Sequence, residues 1–281
     1  MPRFRLLLAL LALLALSPLA EAQSPPDGAG SGRSQPSTCH AVAEALPTAT
    51  FVALKREARP RLAAGERRDE VRITFIQHAT YLIESPDGVT IATDYTGNAG
   101  GIVPRVATMN KAHSTHYTNH PDPGIEHVLR GWNPEGGPAR HYLTVGDVLV
   151  RNVPSDIRLW GGGMEKDGNS IFVFETAGLC IGHLGHLHEK LTDAQFAEIG
   201  RLDIVMVPVD GSWTMSQEGM AAMVARLQSR LVLPMHNFRG RMDRFLAQLP
   251  DFAVERRASP SLAVSLRSLP KRPTVVLLEG I

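Results

Sequence analysis

Cysteine is scarce: the 281 residues hold two, Cys39 and Cys180. They are not a C-x-x-C pair, which argues against a thioredoxin-like redox centre. In an oxidising compartment they can close one disulfide or stay apart, and sequence alone does not choose. Charge of one sign is equally lacking. Lys and Arg number 29 against 28 Asp and Glu, with no basic block or face, which argues against a nucleic-acid partner or an anionic membrane surface. After residue 22 no apolar run reaches transmembrane length.

The one long apolar stretch lies at the start. Arg3 and Arg5 precede an unbroken Leu/Ala run over residues 6–16, Ser17 and Pro18 interrupt it, and Ala20-Glu21-Ala22 supplies a small-x-small cleavage pattern. Residues 1–22 therefore read as an export signal, with an uncleaved anchor as the alternative and Gln23 as the expected mature N-terminus. Removing Arg3, Arg5 and Glu21 balances the formal charge. The expected product is a soluble periplasmic or secreted protein with no stable membrane insertion, acting on a small-molecule substrate or ligand. Its length suffices for one α/β domain with a full core.

Residues 23–38 are rich in Gly, Ser and Pro and read as a flexible leader, and the extension to residue 68 has short helical stretches studded with Arg56, Arg59, Arg61, Arg67 and Arg68. A body over 69–281 comes next. Alternation from Val71 through Glu84, a Pro86-Asp87-Gly88 turn and residues 89–93 predict a three-strand meander with His78 and Asp94 at strand ends. Residues 95–140 carry seven glycines, five prolines and four histidines, a density that predicts site-forming loops. Strands are expected at 141–145, 147–153, 170–174, 179–181, 203–209, 231–235, 263–266 and 274–278. Helices are expected at 191–200 (capping box Thr192/Gln195, stop at Gly200), 216–228 and 241–249.

All eleven histidines follow the export signal. His113, His116 and His120 form one group, His183, His186 and His188 another, and His236 ends a strand written almost wholly in apolar residues. Imidazoles at strand ends can converge into a metal site. A lone loop histidine is usually solvated or capping, the reading given to His40, His120, His127 and His141. Tyr95, Tyr117 and Trp132 are candidates for a pocket mouth or for ordinary packing. Arg151, Arg158 and Lys111 are candidates to hold an anionic group.

The segments Ile76-Gln-His-Ala-Thr-Tyr-Leu-Ile-Glu84, Ile91-Ala-Thr-Asp94, Ile181-Gly-His-Leu-Gly185, Val207-Pro-Val-Asp-Gly211 and Leu233-Pro-Met-His236 together resemble the metallo-β-lactamase fold, in particular its ascorbate-6-phosphate lactonase-like branch of small hydrolases. The resemblance implies an αββα four-layer sandwich with metal at one edge between the sheets. It also exposes departures. Where the family presents His-x-His-x-Asp-His, this chain has Lys111-Ala-His113-Ser-Thr115-His116. No histidine stands in 153–158, and His186 stands where the family has a bridging aspartate. The implied site is mononuclear, with His116, His186 and His236 and either His113 or water as fourth ligand around one divalent transition metal, zinc first and iron, manganese or nickel as alternatives. Asp210, His78 and Lys111 are the candidate catalytic residues. Asp94 is a candidate partner for a ligand histidine or a turn residue. A metal-dependent hydrolase of lactones, amides or phosphoesters is the leading function. A metal- or ligand-binding protein without turnover is the alternative, and an iron redox protein the third.

Overall fold

The computed structural model describes residues 36–40, 69–159, 161–237 and 241–281. The export signal, most of the leader and the arginine-studded extension lie outside the described residues. Fourteen strands and three helices run in order: β1 (Val71–Gln77), β2 (Thr80–Glu84), β3 (Thr90–Ala92), β4 (Val106–Met109), β5 (His127–Arg130), β6 (Tyr142–Val145), β7 (Val148–Arg158), β8 (Met164–Thr176), β9 (Leu179–His183), α1 (Asp193–Ile199), β10 (Ile204–Pro208), α2 (Gln217–Leu227), β11 (Leu231–Met235), α3 (Met242–Leu246), β12 (Ala253–Arg256), β13 (Ser261–Val264) and β14 (Thr274–Leu277).

They form two sheets, β13-β1-β2-β3-β4-β5 and β12-β14-β11-β10-β9-β8-β7-β6. In β1 the inward set Val71, Ile73 and Phe75 alternates with Arg72 and Thr74, as a strand covered on one face requires. Between the sheets these residues meet Tyr81, Ile83 and Ile91 from the first sheet and Val148, Phe172, Phe174, Ile181, Met206 and Leu233 from the second. The Tyr81 hydroxyl crosses this core to donate to Pro234 O at 2.6 Å, so its buried polar tip is satisfied. The central strands β10 and β11 are buried along their whole length, which explains their almost unbroken apolar sequences.

On its outer face the second sheet is covered by residues of all three helices, including Ile199, Met220, Val224 and Phe245. Helix α1 has its expected capping box, and α2 is capped by Ser216, whose Oγ accepts from Gly219 N. Among the described residues the outer face of the first sheet carries loop side chains rather than a helix. Tyr95, Ala99 and Ile125 pack there on Ala92, Ala107 and Met109, and Tyr117 meets Trp132 edge to face at 5.6 Å. These three aromatic residues are therefore packing residues and not a pocket mouth.

The loop-rich stretch 95–140 contains the short strands β4, paired parallel to β3, and β5, paired parallel to β4. At the C-terminal side β12 adds a parallel edge strand where the sequence pattern predicts none.

Parallel pairing decides where the polar strand ends emerge. In the first sheet β3 runs parallel to β4. In the second, β9, β10 and β11 run parallel. Parallel neighbours end at one edge, so the residues just past each of them are delivered to a common rim.

Cys39 and Cys180 form a disulfide with Cα atoms 5.8 Å apart. Residues 36–38, expected in the flexible leader, are held beside it: Ser37 Oγ and Thr38 N donate to the Glu175 carboxylate at 2.6 and 2.7 Å. Burial pushes the Glu175 carboxyl up, but these bonds and Arg151 Nε at 2.8 Å outweigh it and hold the group below its ordinary value. Arg151 also donates to Glu198 O and Ile199 O, so this guanidinium is structural. Gly200, with φ 73°, lets α1 end against Cys39, because a Cβ there would stand 2.4 Å from Cys39 O. Cys39→Ser should cost about 2–4 kcal/mol, the usual worth of a long-loop disulfide. Urea unfolding midpoints measure it, and a loss below about 1 kcal/mol would show that the leader docks without its covalent tie.

Candidate metal centre

Several strands of both sheets end in a polar residue at the same rim. His78 sits in the turn from β1 to β2, Asp94 follows β3, and His113 and His116 follow β4. His186 follows β9, Asp210 follows β10, and His236 follows β11. His78, Asp94 and His236 adopt positive φ of 45°, 40° and 54°. That conformation costs a non-glycine residue about 1–3 kcal/mol, and its concentration at one edge marks a place where position outranks local comfort. The backbone ties the rim together, with His236 N donating to His78 O at 2.8 Å.

The four histidines expected as ligands share one arrangement. Three of them have Nδ1 hydrogen-bonded from outside the centre, and the fourth has a carboxylate beside it. His116 Nδ1 donates to Asp94 Oδ2 at 2.5 Å, and His113 Nδ1 meets Thr115 Oγ1 at 2.7 Å. His186 Nδ1 meets His188 Nε2 at 2.8 Å, and His236 Nδ1 stands 3.2 Å from Asp210 Oδ1, too oblique for a full hydrogen bond. The Nε2 atoms turn towards one another. His113 Nε2 lies 3.2 Å from His186 Nε2 and 3.4 Å from His236 Nε2, while His116 Nε2 is buried with no partner. The Asp94 carboxylate fixes the tautomer of His116 that leaves a lone pair on Nε2, and the other three can adopt the same one.

Lone pairs facing each other at these distances repel unless a cation or proton lies between them. Two nitrogens bound to one tetrahedral zinc at about 2.0–2.1 Å would stand about 3.3 Å apart, the spacing seen here. Burial holds His116 and His186 neutral: it is the largest cause lowering them well below their ordinary value of 6.5, with neighbouring histidines adding to it. Neutral imidazoles and a buried nitrogen without a partner fit a divalent transition metal.

His78 belongs to the same group. The donor nitrogens of His78, His113, His116 and His236 all lie within 4.8 Å of one another, and His78 Nε2 is buried and unpartnered. Burial, then His236 and His113, lower His78 to about 3. It thus stands as a neutral donor in that group of four, which does not include His186, rather than as a catalytic acid or base.

The other expectations fare differently. Asp210 is not poised as an acid or base. Its oxygens accept from Ser212 N (2.9 Å), Ser212 Oγ (3.0 Å), Trp213 N (2.5 Å) and Thr214 Oγ1 (2.5 Å). Burial pushes its carboxyl up, but His236 and these donors outweigh burial and keep it well below the usual carboxylate range. Its chemistry is to orient His236. Lys111 is turned to Glu165, with Nζ 2.5 Å from Oε1, and does not join the cluster. Its ammonium is paired with a carboxylate. His40, His120, His127 and His141 take no part: His40 and His141 donate to Glu198 O and Arg130 O, and His120 is exposed. His183 is a buttress, its Nε2 donating to Ala79 O at 2.9 Å and its Nδ1 accepting from Gly185 N.

Two further residues carry no signal in the sequence. Asn110 donates from Nδ2 to Asp94 Oδ1 at 2.9 Å and accepts from Ser170 N, while Asn169 accepts from His186 N at 2.8 Å. Gly185, at φ 59°, lies against both; a Cβ there would meet Asn110 Nδ2 at 2.4 Å and Asn169 Oδ1 at 2.5 Å. Asn110 directly follows β4 and Asn169 lies within β8, and an asparagine in either place is too common to single out.

A sequence model of the beta-lactamase superfamily domain matches residues 72–236, more than half of the chain and the span holding every residue of the centre. The chain belongs to the beta-lactamase superfamily. It is a metallo-hydrolase relative with a histidine cluster able to bind metal. Among solved structures, a candidate Zn-dependent hydrolase of the metallo-β-lactamase superfamily from Thermotoga maritima is 25% identical, covering 74% of this chain and 98% of that one with a TM-score of 0.55. A candidate metal-dependent hydrolase from Parabacteroides distasonis is 15% identical, covering 64% and 89% with a TM-score of 0.52, a likeness of fold alone. No curated protein matches the chain at a significant level.

Proposed function

We propose that the chain is an exported hydrolase using one divalent transition metal, zinc first, against a small lactone, amide or phosphoester. The observation that carries this reading is the common arrangement of His113, His116, His186 and His236, with Nδ1 engaged outward and Nε2 converging within 3.2–3.4 Å where two rings face. His116 and His236, with one of His113, His186 or His78, would hold the metal and leave a position open, where it would supply Lewis acidity towards a carbonyl or phosphoryl oxygen and lower the pKa of water. Asp94 and Asp210 keep His116 and His236 aimed, so the donors need no reorganisation. The Thr115 hydroxyl does the same for His113, in place of an acidic ligand. A donor set of imidazoles without carboxylate favours zinc, iron and nickel over magnesium and calcium.

A second reading has its own support. The two buried carboxylates beside the cluster, Asp94 and Asp210, are both engaged, which suits a protein that binds metal or a small ligand without turnover. Elemental analysis of purified protein should find one metal per chain, and chelation should abolish hydrolysis across a panel of chromogenic lactones, amides and phosphoesters, with zinc restoring it. Two equivalents of metal would overturn the mononuclear reading; one equivalent without turnover would favour the second. Intact mass of the exported protein should place its first residue at Gln23, and retention of residues 1–22 would overturn the cleavage site.

A further inference from the structure

Beside the centre lies a cavity of about 260 Å³ walled by His113, His186, His188, Arg158, Leu159 and Trp213. Among the described residues its wall contains no carboxylate. Of the three cations that are candidates for anion binding, Arg151 is locked to Glu175 and Lys111 to Glu165. Arg158, the last residue of β7, differs. Its Nη1 donates to Ser212 O at 3.2 Å, and among the described residues no carboxylate pairs with it. That single bond ties the guanidinium to the loop that also bears Asp210 and Trp213, so the cation is positioned but not neutralised. Leu159 and Trp213, 44% and 42% exposed, give this wall an apolar surface that a ligand can reach.

A planar guanidinium with donors to spare binds a carboxylate or phosphate through paired hydrogen bonds. Apolar walls flanking a few fixed polar groups are the ordinary make-up of a small-molecule pocket. We infer that Arg158 anchors an oxyanion on the substrate, whose apolar body lies against Trp213 and Leu159 while its scissile bond faces the histidines. This rests on the hydrolase reading of the same centre and narrows it to anionic substrates.

Calorimetric titration with phenyl phosphate, with benzoate and with neutral benzyl alcohol tests the assignment in wild type, Arg158→Gln and Arg158→Lys, before and after chelation. Chelated wild type should bind phenyl phosphate or benzoate in preference to benzyl alcohol, and the preferred anion sorts phosphate from carboxylate. Arg158→Gln should weaken anion binding about tenfold or more, the usual effect of losing a charge-assisted bond. Arg158→Lys should recover part of the loss. Melting temperature and metal content should match wild type in both variants. Equal anion affinity in chelated Arg158→Gln and wild type, or no saturable anion binding by wild type, would overturn the inference. Wild type that binds anion through Arg158 yet takes up no zinc would support the anchor and overturn the metal reading alone.

Discussion

His186→Ala should lower zinc affinity at least about a hundredfold, while His120→Ala leaves it unchanged. His186 arrives after β9 through the Gly185 turn, its backbone held by Asn169 and its ring by His188. Its Nε2 is in contact distance of His113 Nε2. Outer partners of a metal ligand alone are commonly worth about tenfold to a hundredfold, so losing the ligand itself should cost no less. His120 sits in an exposed turn, its backbone N donating to Thr118 Oγ1. Isothermal titration of wild type and both variants decides the matter, with His186→Gln as a check that lost affinity does not follow lost folding. Equal zinc affinity in wild type and His186→Ala would remove this residue from the ligand set.

The metal-free protein should lose stability steeply as pH falls below about 6.5. His78, His113, His116, His186 and His188 all have folded values below their unfolded 6.5, burial being the first cause for each; His78 lies at about 3 and His188 at about 4. Between 6.5 and those lower values the unfolded chain takes up protons that the folded chain refuses, so acid favours unfolding. Each such group contributes a slope of up to about 1.4 kcal/mol per pH unit. Asp94 works the other way. Burial lifts it to about 6, so the folded state is the better proton binder between 6 and the unfolded 3.8, and one group of opposite sign offsets part of five. Denaturant midpoints of chelated protein at pH 7.5, 6 and 5 should fall in that order. A flat profile would mean that the histidines are not desolvated as the structure has them. Zinc should flatten the upper part of the curve, since protons and metal compete for the same nitrogens.

Local signals made part of this legible in the sequence. Thr192 and Gln195 announce α1, the all-apolar run before His236 announces β11, and histidines spaced along the chain announce a centre. The illegible part depends on partners far away. Residues Val106–Met109 form β4 because β3 and β5 flank it, but four residues among glycines and prolines look like loop. Residues Ala253–Arg256 form an edge strand with mostly exposed side chains, so no apolar pattern betrays it. Lys111 reads as a neighbour of the metal because its neighbours in sequence are; Glu165, 54 residues away, decides otherwise. Asp210 reads as an acid or base by its place after a buried strand, and only the donors folded around it exclude that role. Asn110 and Asn169 act only through the residues they hold.

The donors come from both halves of the sandwich: His78, His113 and His116 from the edge of one sheet, His186 and His236 from the edge of the other. The sheets share no strand, and what joins them across the gap is mainly apolar packing, which resists separation more than it resists sliding. A single ion bound by both would act as a rivet through the two plates. Gripping it fixes their relative slide, and the grip is available only to the folded chain, so ion concentration enters the folding equilibrium by mass action. Supply of the ion would then govern how much of the protein persists, and not merely how much of it works.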